Sequence, residues 1–120
     1  MSKYGLFTNF KTQKDRRDEL ASILLQASQL ISTAKGCDHY IIYKDNNDEN
    51  WICVSEIWGT KEDHDNSSKI DGSMELISKA FPLVDGKPEN KVLEVLGGKG
   101  IDWRKYYAAD EKTTVNKPNS

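Results

Sequence analysis

The stretch Trp51–Asp65, WICVSEIWGTKEDHD, decides how this sequence folds. Its first half predicts a strand on which Glu56 and Trp58 stand two residues apart. Because successive side chains of a strand point to opposite faces of a sheet, Glu56 and Trp58 share one face. Its second half predicts a helix that begins at Lys61, folds back over that face and carries His64. The stretch therefore predicts a small pocket with a polar group on its wall.

The residues on either side of this stretch complete a βαββαβ order. Strands are predicted at Lys3–Phe10, at Asp38–Asp45, from Glu49 or Asn50 to Trp58, and at Lys91–Leu96. Helices are predicted at Asp15–Thr33, Lys61–Ser68 and Ser73–Phe81, with Thr12 and Thr60 as caps. This order predicts an α+β, ferredoxin-like fold, in which an antiparallel four-stranded sheet carries helices on one face.

The length of the central hairpin loop decides which side chains converge. A loop at Asn46–Glu49 pairs Asp45 with Asn50 and places His39 opposite Glu56. A loop longer or shorter by one residue would send His39 to the other face. On the predicted register the helix-covered face carries Phe7, Asn9, His39, Tyr43, Val54, Glu56 and Trp58. The open face then carries Leu6, Phe10, Tyr40, Ile42 and Ile57, which is apolar enough to predict a homodimer of sheets packed face to face.

Composition excludes several classes of partner. The 120 residues fit one domain, and 17 basic against 19 acidic residues leave a net charge of −2, so nucleic acid is not expected. No apolar run is long enough to span a bilayer, and MSKYGLFTNF lacks the apolar segment of a signal peptide. Cys37 and Cys53 are interpreted as reduced thiols of a cytoplasmic protein rather than as a disulfide. Neither CxxC nor HExxH is present, so no metal site is predicted.

Three segments resemble the antibiotic biosynthesis monooxygenase family. They are Lys35-Gly36-Cys37 with Tyr40, Ser55-Glu56-Ile57-Trp58, and Lys61-Glu62-Asp63-His64-Asp65. The family has the dimeric α/β-barrel fold and includes the quinol monooxygenases. The resemblance implies a family domain over residues 1–100 and a C-terminal extension over residues 101–120. The aromatic residues of that extension are expected to pack on the body or on a partner subunit: Trp103, Tyr106 and Tyr107.

The resemblance implies a function, the oxidation of a quinol or polyphenol by O2 without metal, flavin or other cofactor. Ionising a phenol needs a base and a polar group for the oxyanion. The predicted catalytic residues are Glu56, His39 and Asn9, and the predicted substrate contacts are Trp58, His64, Tyr43 and Phe7.

Other interpretations of the same residues stay open. Trp58 fits the core as well as a substrate platform, Glu56 fits a structural ion pair, and His39 and His64 fit the surface. A non-catalytic dimer that binds a small molecule in the same pocket is one alternative function. A haem-binding protein is another, although the haem-degrading branch of the family carries a His on the long second helix and Ser73–Phe81 contains none.

Overall fold

A computed structural model describes residues 2–101 of the chain. The strands are β1 Lys3–Lys11, β2 Cys37–Lys44, β3 Trp51–Trp58 and β4 Glu89–Val95, and the helices are α1 Arg17–Ile31, α2 Lys61–Asn66 and α3 Ser73–Ala80. Single 3-10 turns follow α2 and α3, at Ser67–Lys69 and Phe81–Leu83. The strands form one antiparallel sheet in the order β2-β3-β1-β4. The predicted ferredoxin-like βαββαβ fold is confirmed.

The core lies between α1 and the middle of the sheet. Leu20, Ile23 and Leu24 recur at helical spacing on α1 and are all buried. They pack with Ile52 and Val54 of β3, which are also buried. Burying each such side chain is worth roughly 1.5–3 kcal/mol, so this layer holds the helix against the sheet.

Of the two predicted helix caps, one is confirmed and one is wrong. Thr60 Oγ1 accepts the backbone N–H of Asp63 at 3.0 Å and starts α2 where expected. Thr12 instead extends the end of β1, because it forms an isolated bridge with Val84 and donates its hydroxyl to the Asn50 carbonyl at 3.2 Å.

The hairpin between β2 and β3 closes with a loop one residue longer than predicted. The backbone N–H of Asp45 donates to the carbonyl of Trp51 at 3.3 Å, which leaves residues 46–50 as the loop. The carboxylates of Asp45 and Asp48 each accept the backbone N–H two residues further on, at 2.7 and 3.0 Å. These two consecutive Asx turns are the physical reason for the longer loop.

The longer loop changes the cross-strand partners. Tyr40, and not His39, lies opposite Glu56, so the predicted pairing of His39 with Glu56 is wrong. A β-bulge between Cys37 and His39 then shifts the register by one residue, so that Cys37 pairs with Trp58.

The register also corrects the assignment of faces. The helix-covered face carries Tyr4, Leu6, Thr8, Phe10, Tyr40, Ile42, Ile52, Val54, Glu56 and Trp58. The open face carries Phe7, Asn9, His39, Ile41, Tyr43, Cys53, Ser55, Ile57 and Leu93. The prediction was right for Val54, Glu56, Ile57 and Trp58. It was wrong for Leu6, Phe10, Tyr40 and Ile42, predicted open, and for Phe7, Asn9, His39 and Tyr43, predicted covered.

Two further predictions concern a membrane span and the packing of the C-terminal extension. None of the helices within residues 2–101 has the length and apolar character needed to cross a membrane. Trp103, Tyr106 and Tyr107 lie outside the described residues, so the packing of the C-terminal extension stays a prediction.

Candidate functional site

A cavity of about 740 Å³ lies between the sheet and the helices. Its walls are mostly aliphatic and come from α1, α3 and the turn after α3: Leu20, Ile23, Leu24, Leu76, Ile77 and Val84. Its polar lining comes from the end of β3 and from α2 with the turn that follows it: Glu56, His64, Asp65, Ser67 and Ser68. The volume falls within the range of about 300–1,000 Å³ that is usual for small-molecule sites.

Glu56 is a largely covered carboxyl group of this cavity, with only 11% of its side chain exposed. Trp58, which is fully buried, donates its indole N–H to Glu56 Oε1 at 2.9 Å. The second oxygen, Oε2, accepts no hydrogen bond from the part of the chain that the structure describes. Burial raises the pKa of Glu56, against smaller lowering effects of the Trp58 hydrogen bond and of His64. A carboxylate with a raised pKa and one unengaged oxygen is suited to accept a proton from a ligand.

His64 lies on α2 beside this carboxylate. Its Nε2 is 3.9 Å from Glu56 Oε1, and its Nδ1 is 3.0 Å from Asp65 Oδ1. The pKa of Asp65 is lowered, first by the Lys61 hydrogen bond at 2.7 Å and then by that of His64, so Asp65 is an acceptor only. Nδ1 therefore donates to Asp65, and Nε2 lies on the side of Glu56. Asp65 acts as a positioning residue for this imidazole.

Aromatic rings hold the imidazole from two sides. The Tyr4 ring centroid is 5.5 Å from that of His64 in a tilted arrangement, and the Trp58 centroid is 5.8 Å away, edge to face. Such contacts fix ring orientation and add roughly 0.5–1.5 kcal/mol each. Tyr4 reaches His64 because it pairs with Trp58 across β1 and β3.

Tyr40 is a site residue that sequence reasoning missed. It lines the cavity and lies directly opposite Glu56. Burial, and next the negative charge of Glu56, raise its pKa well above the usual range. Its hydroxyl therefore stays protonated and can donate to a ligand anion. The loop length was the missing signal, because a five-residue loop places Tyr40 on the covered face.

The structure divides the predicted site residues between two faces. Glu56, Trp58 and His64 converge at the cavity. Phe7, Asn9, His39 and Tyr43 lie on the open face, where they cannot contact a ligand held against Glu56. There His39 Nε2 is 3.1 Å, and the Tyr43 hydroxyl 2.9 Å, from Ser55 Oγ. Within residues 2–101 no three His, Cys, Asp or Glu side chains gather as possible metal ligands.

Known structures share this fold over nearly their whole length. An antibiotic biosynthesis monooxygenase family protein from Chloroflexus aurantiacus is 28% identical, with a TM-score of 0.72 over 84% of this chain and 100% of that one. A second family protein, from Caulobacter crescentus, is 16% identical, with a TM-score of 0.74 over 80% of this chain and 92% of that one. A variant of SnoaB, a cofactor-independent oxygenase from Streptomyces nogalater, is 9% identical, with a TM-score of 0.70 over 82% of this chain and 98% of that one.

The sequence comparisons give the family. No curated protein sequence matches the chain. The sequence model of the antibiotic biosynthesis monooxygenases matches residues 4–72, which hold Glu56, Trp58, His64 and, except for Lys3, the strands β1 to β3. The chain therefore belongs to the antibiotic biosynthesis monooxygenase family.

Proposed function

We propose that this protein is a cofactor-independent monooxygenase that oxidises a quinol or polyphenol-type aromatic substrate with O2. One observation carries the proposal: a buried carboxylate, Glu56, faces a largely apolar cavity with one oxygen unengaged. An apolar cavity excludes water and strengthens the interaction of a base with a bound phenol. The SnoaB likeness supports the same chemistry, since that protein is a cofactor-independent oxygenase.

The reaction balances with phenol and O2 alone. Glu56 removes the phenolic proton, and the phenolate passes one electron to O2. The aryloxyl radical and superoxide combine at a ring carbon that carries hydrogen, forming a C–O bond, and the terminal peroxide oxygen takes the proton that Glu56 holds. Loss of the ring proton then breaks the O–O bond and releases water. One oxygen atom stays on the ring as a quinone carbonyl, and the other leaves in water.

Two neighbouring groups support these steps. The Tyr40 hydroxyl, neutral because its pKa is raised, donates to the phenolate oxygen. His64, with 27% of its side chain exposed, exchanges protons between Glu56 and solvent through Nε2. Asp65 holds Nδ1 and so keeps Nε2 turned towards Glu56.

Oxygen uptake tests the proposal. Purified protein is mixed with a panel of hydroquinones and naphthols, without added cofactor and with a chelator present. General-base catalysis is worth about 10²–10⁴-fold, so Glu56→Gln is expected to lower the rate by that factor. Glu62→Gln, an exposed carboxylate on α2, is the matched control and keeps the wild-type rate.

Three outcomes would contradict parts of the proposal. A wild-type rate in Glu56→Gln would remove Glu56 as the base. Loss of activity with the chelator would contradict the metal-free reaction. Substrate binding without oxygen uptake would leave a small-molecule-binding protein of the same fold.

We further propose that the protein is a cytoplasmic homodimer whose two open sheet faces pack together. Ile41, Tyr43 and Leu93 on this face are 42%, 40% and 45% exposed. Large side chains exposed on a whole sheet face favour a partner. The cytoplasmic assignment rests on the interpretation of Cys37 and Cys53 as reduced thiols.

A further inference from the structure

The cavity opens beside a row of exposed apolar side chains on α3 and the turn after it. Met74, Ile77 and Phe81 are spaced three and four residues apart, so they lie along one side of the helix. They are 61%, 49% and 80% exposed. We call these three residues the apolar rim. Two of them, Ile77 and Phe81, also line the cavity, so the rim continues its inner wall to the surface.

The wall formed by α3 connects the polar end of the cavity to this rim. Ser73, at the start of α3, donates its hydroxyl to the Ser67 carbonyl at 3.2 Å, and Ser67 donates its own to the His64 carbonyl at 2.6 Å. The eight residue-to-residue steps from Ser73 to Phe81 span about 12 Å at 1.5 Å per step. This length exceeds one aromatic ring, and the side chains that line it from α3 and the turn after it are mainly Leu76, Ile77, Ala80 and Phe81.

We propose that the ligand of this cavity is a phenol or quinol that carries an aliphatic tail of several carbons. The hydroxyl head lies at Glu56 and His64, and the tail follows α3 and leaves over the apolar rim. The polar end matches the head and the aliphatic wall matches the tail. A compact ring system seated at Glu56 would leave Phe81 exposed to water, whereas a tail covers it. The phenolic identity of the head group rests on the proposed function, whereas the aliphatic tail is inferred from the apolar rim alone.

Binding in the absence of oxygen tests this ligand class without turnover. Dissociation constants are measured anaerobically by calorimetry for hydroquinones with a methyl, hexyl or decyl substituent, each below its micelle concentration. A fully buried CH₂ adds roughly fourfold to affinity. Because the mouth is partly exposed, we expect hexylhydroquinone to bind at least about tenfold tighter than methylhydroquinone. Decanol serves as a tail without a phenolic head and is expected to bind more weakly than decylhydroquinone.

Rim variants locate the tail. Phe81→Ser and Ile77→Ser should each weaken binding of the decyl ligand about three- to tenfold and that of the methyl ligand less than twofold. Leu96→Ser is the matched control, because Leu96 is 78% exposed but does not line the cavity.

The possible results separate this inference from the proposed reaction. Equal affinity for the methyl and decyl ligands, or equal binding of decanol and decylhydroquinone, would overturn the ligand class. An equal loss for both tail lengths in the rim variants would overturn the path over the rim. Tight binding of the decyl ligand without oxygen uptake in air would overturn the reaction and leave the ligand class standing.

Discussion

At the scale of single residues, Glu56 is a carboxyl group whose burial conflicts with its charge. Burying a carboxylate disfavours its charged form, and a single indole N–H offsets only part of that cost. Such a group is unusual where packing alone decides the residue type. The sequence already singled out Glu56, because its strand parity with Trp58 does not depend on the hairpin loop.

We expect Glu56→Gln to be more stable than the wild type by an amount that grows as pH rises. The folded-state pKa of Glu56 is raised above its ordinary value of 4.5, so the native state holds this proton more tightly than the unfolded state. The resulting stability is fully present below about pH 4.5 and is lost as pH rises through the raised pKa. Glutamine stays neutral and keeps an oxygen for the Trp58 N–H. The melting temperature of the variant minus that of the wild type should therefore rise over a pH series that starts at 4.5 and goes upward.

Thermal unfolding of both proteins across this range measures the effect. Glu62→Gln controls for the loss of one surface carboxylate. A difference in melting temperature that stays constant with pH would contradict the burial argument for Glu56.

At the scale of elements, the sequence predicted which segments form helices and strands but not how two of the strands align. Periodicity determined α1, and Thr60 marked the start of α2, because both signals are local. The hairpin alignment depends on one residue of loop length, and the observed five-residue loop contains the Asx turns at Asp45 and Asp48. That single residue exchanges the predicted faces of two neighbours, so that His39 lies on the open face and Tyr40 on the helix-covered face. A local pattern therefore located Glu56, Trp58 and His64, and missed Tyr40.

Arg17 holds the loop in its observed length. Its Nη1 donates to the carbonyls of Asp45, Asp48 and Trp51 at 2.8, 3.0 and 3.2 Å. Hydrogen bonds from a charged donor are worth about 1.5–3 kcal/mol when buried, and exposure of the loop reduces this. We expect Arg17→Ala to lower the free energy of unfolding by about 1–2 kcal/mol.

The neighbouring arginine is the control for this prediction. Arg16 pairs with Glu19 at 2.7 Å on the exposed surface, so Arg16→Ala should cost less than about 0.5 kcal/mol. Urea unfolding of the two variants side by side makes the comparison. Equal losses would show that the loop does not depend on Arg17.

At the scale of the whole molecule, the sheet separates two surfaces with different surroundings. Its helix-covered face bounds the cavity, and its open face mixes exposed apolar side chains with the hydrogen-bonded group of His39, Tyr43 and Ser55. The sequence predicted a dimer from an apolar set of which only Ile57 lies on the open face. The proposal of a dimer now rests on other residues of the open face, Ile41 and Leu93. Helices cover only one face of this sheet, so the side chains that alternate to the other face stay open.

We expect light scattering at micromolar concentration to give twice the chain mass of 13.6 kDa. Ile41 lies at the middle of β2 on the open face and is 42% exposed, so Ile41→Asp leaves the monomer fold intact but places a charge inside the interface. Burying that unpaired charge costs several kcal/mol, which is enough to dissociate a dimer held by one sheet face.

Leu25→Asp is the matched control, because Leu25 is 56% exposed on α1, away from the open face. A monomer mass for the wild type, or a dimer that both variants keep, would show that the open face is not the interface. Dissociation of the Ile41→Asp variant alone would place the dimer interface on the open face.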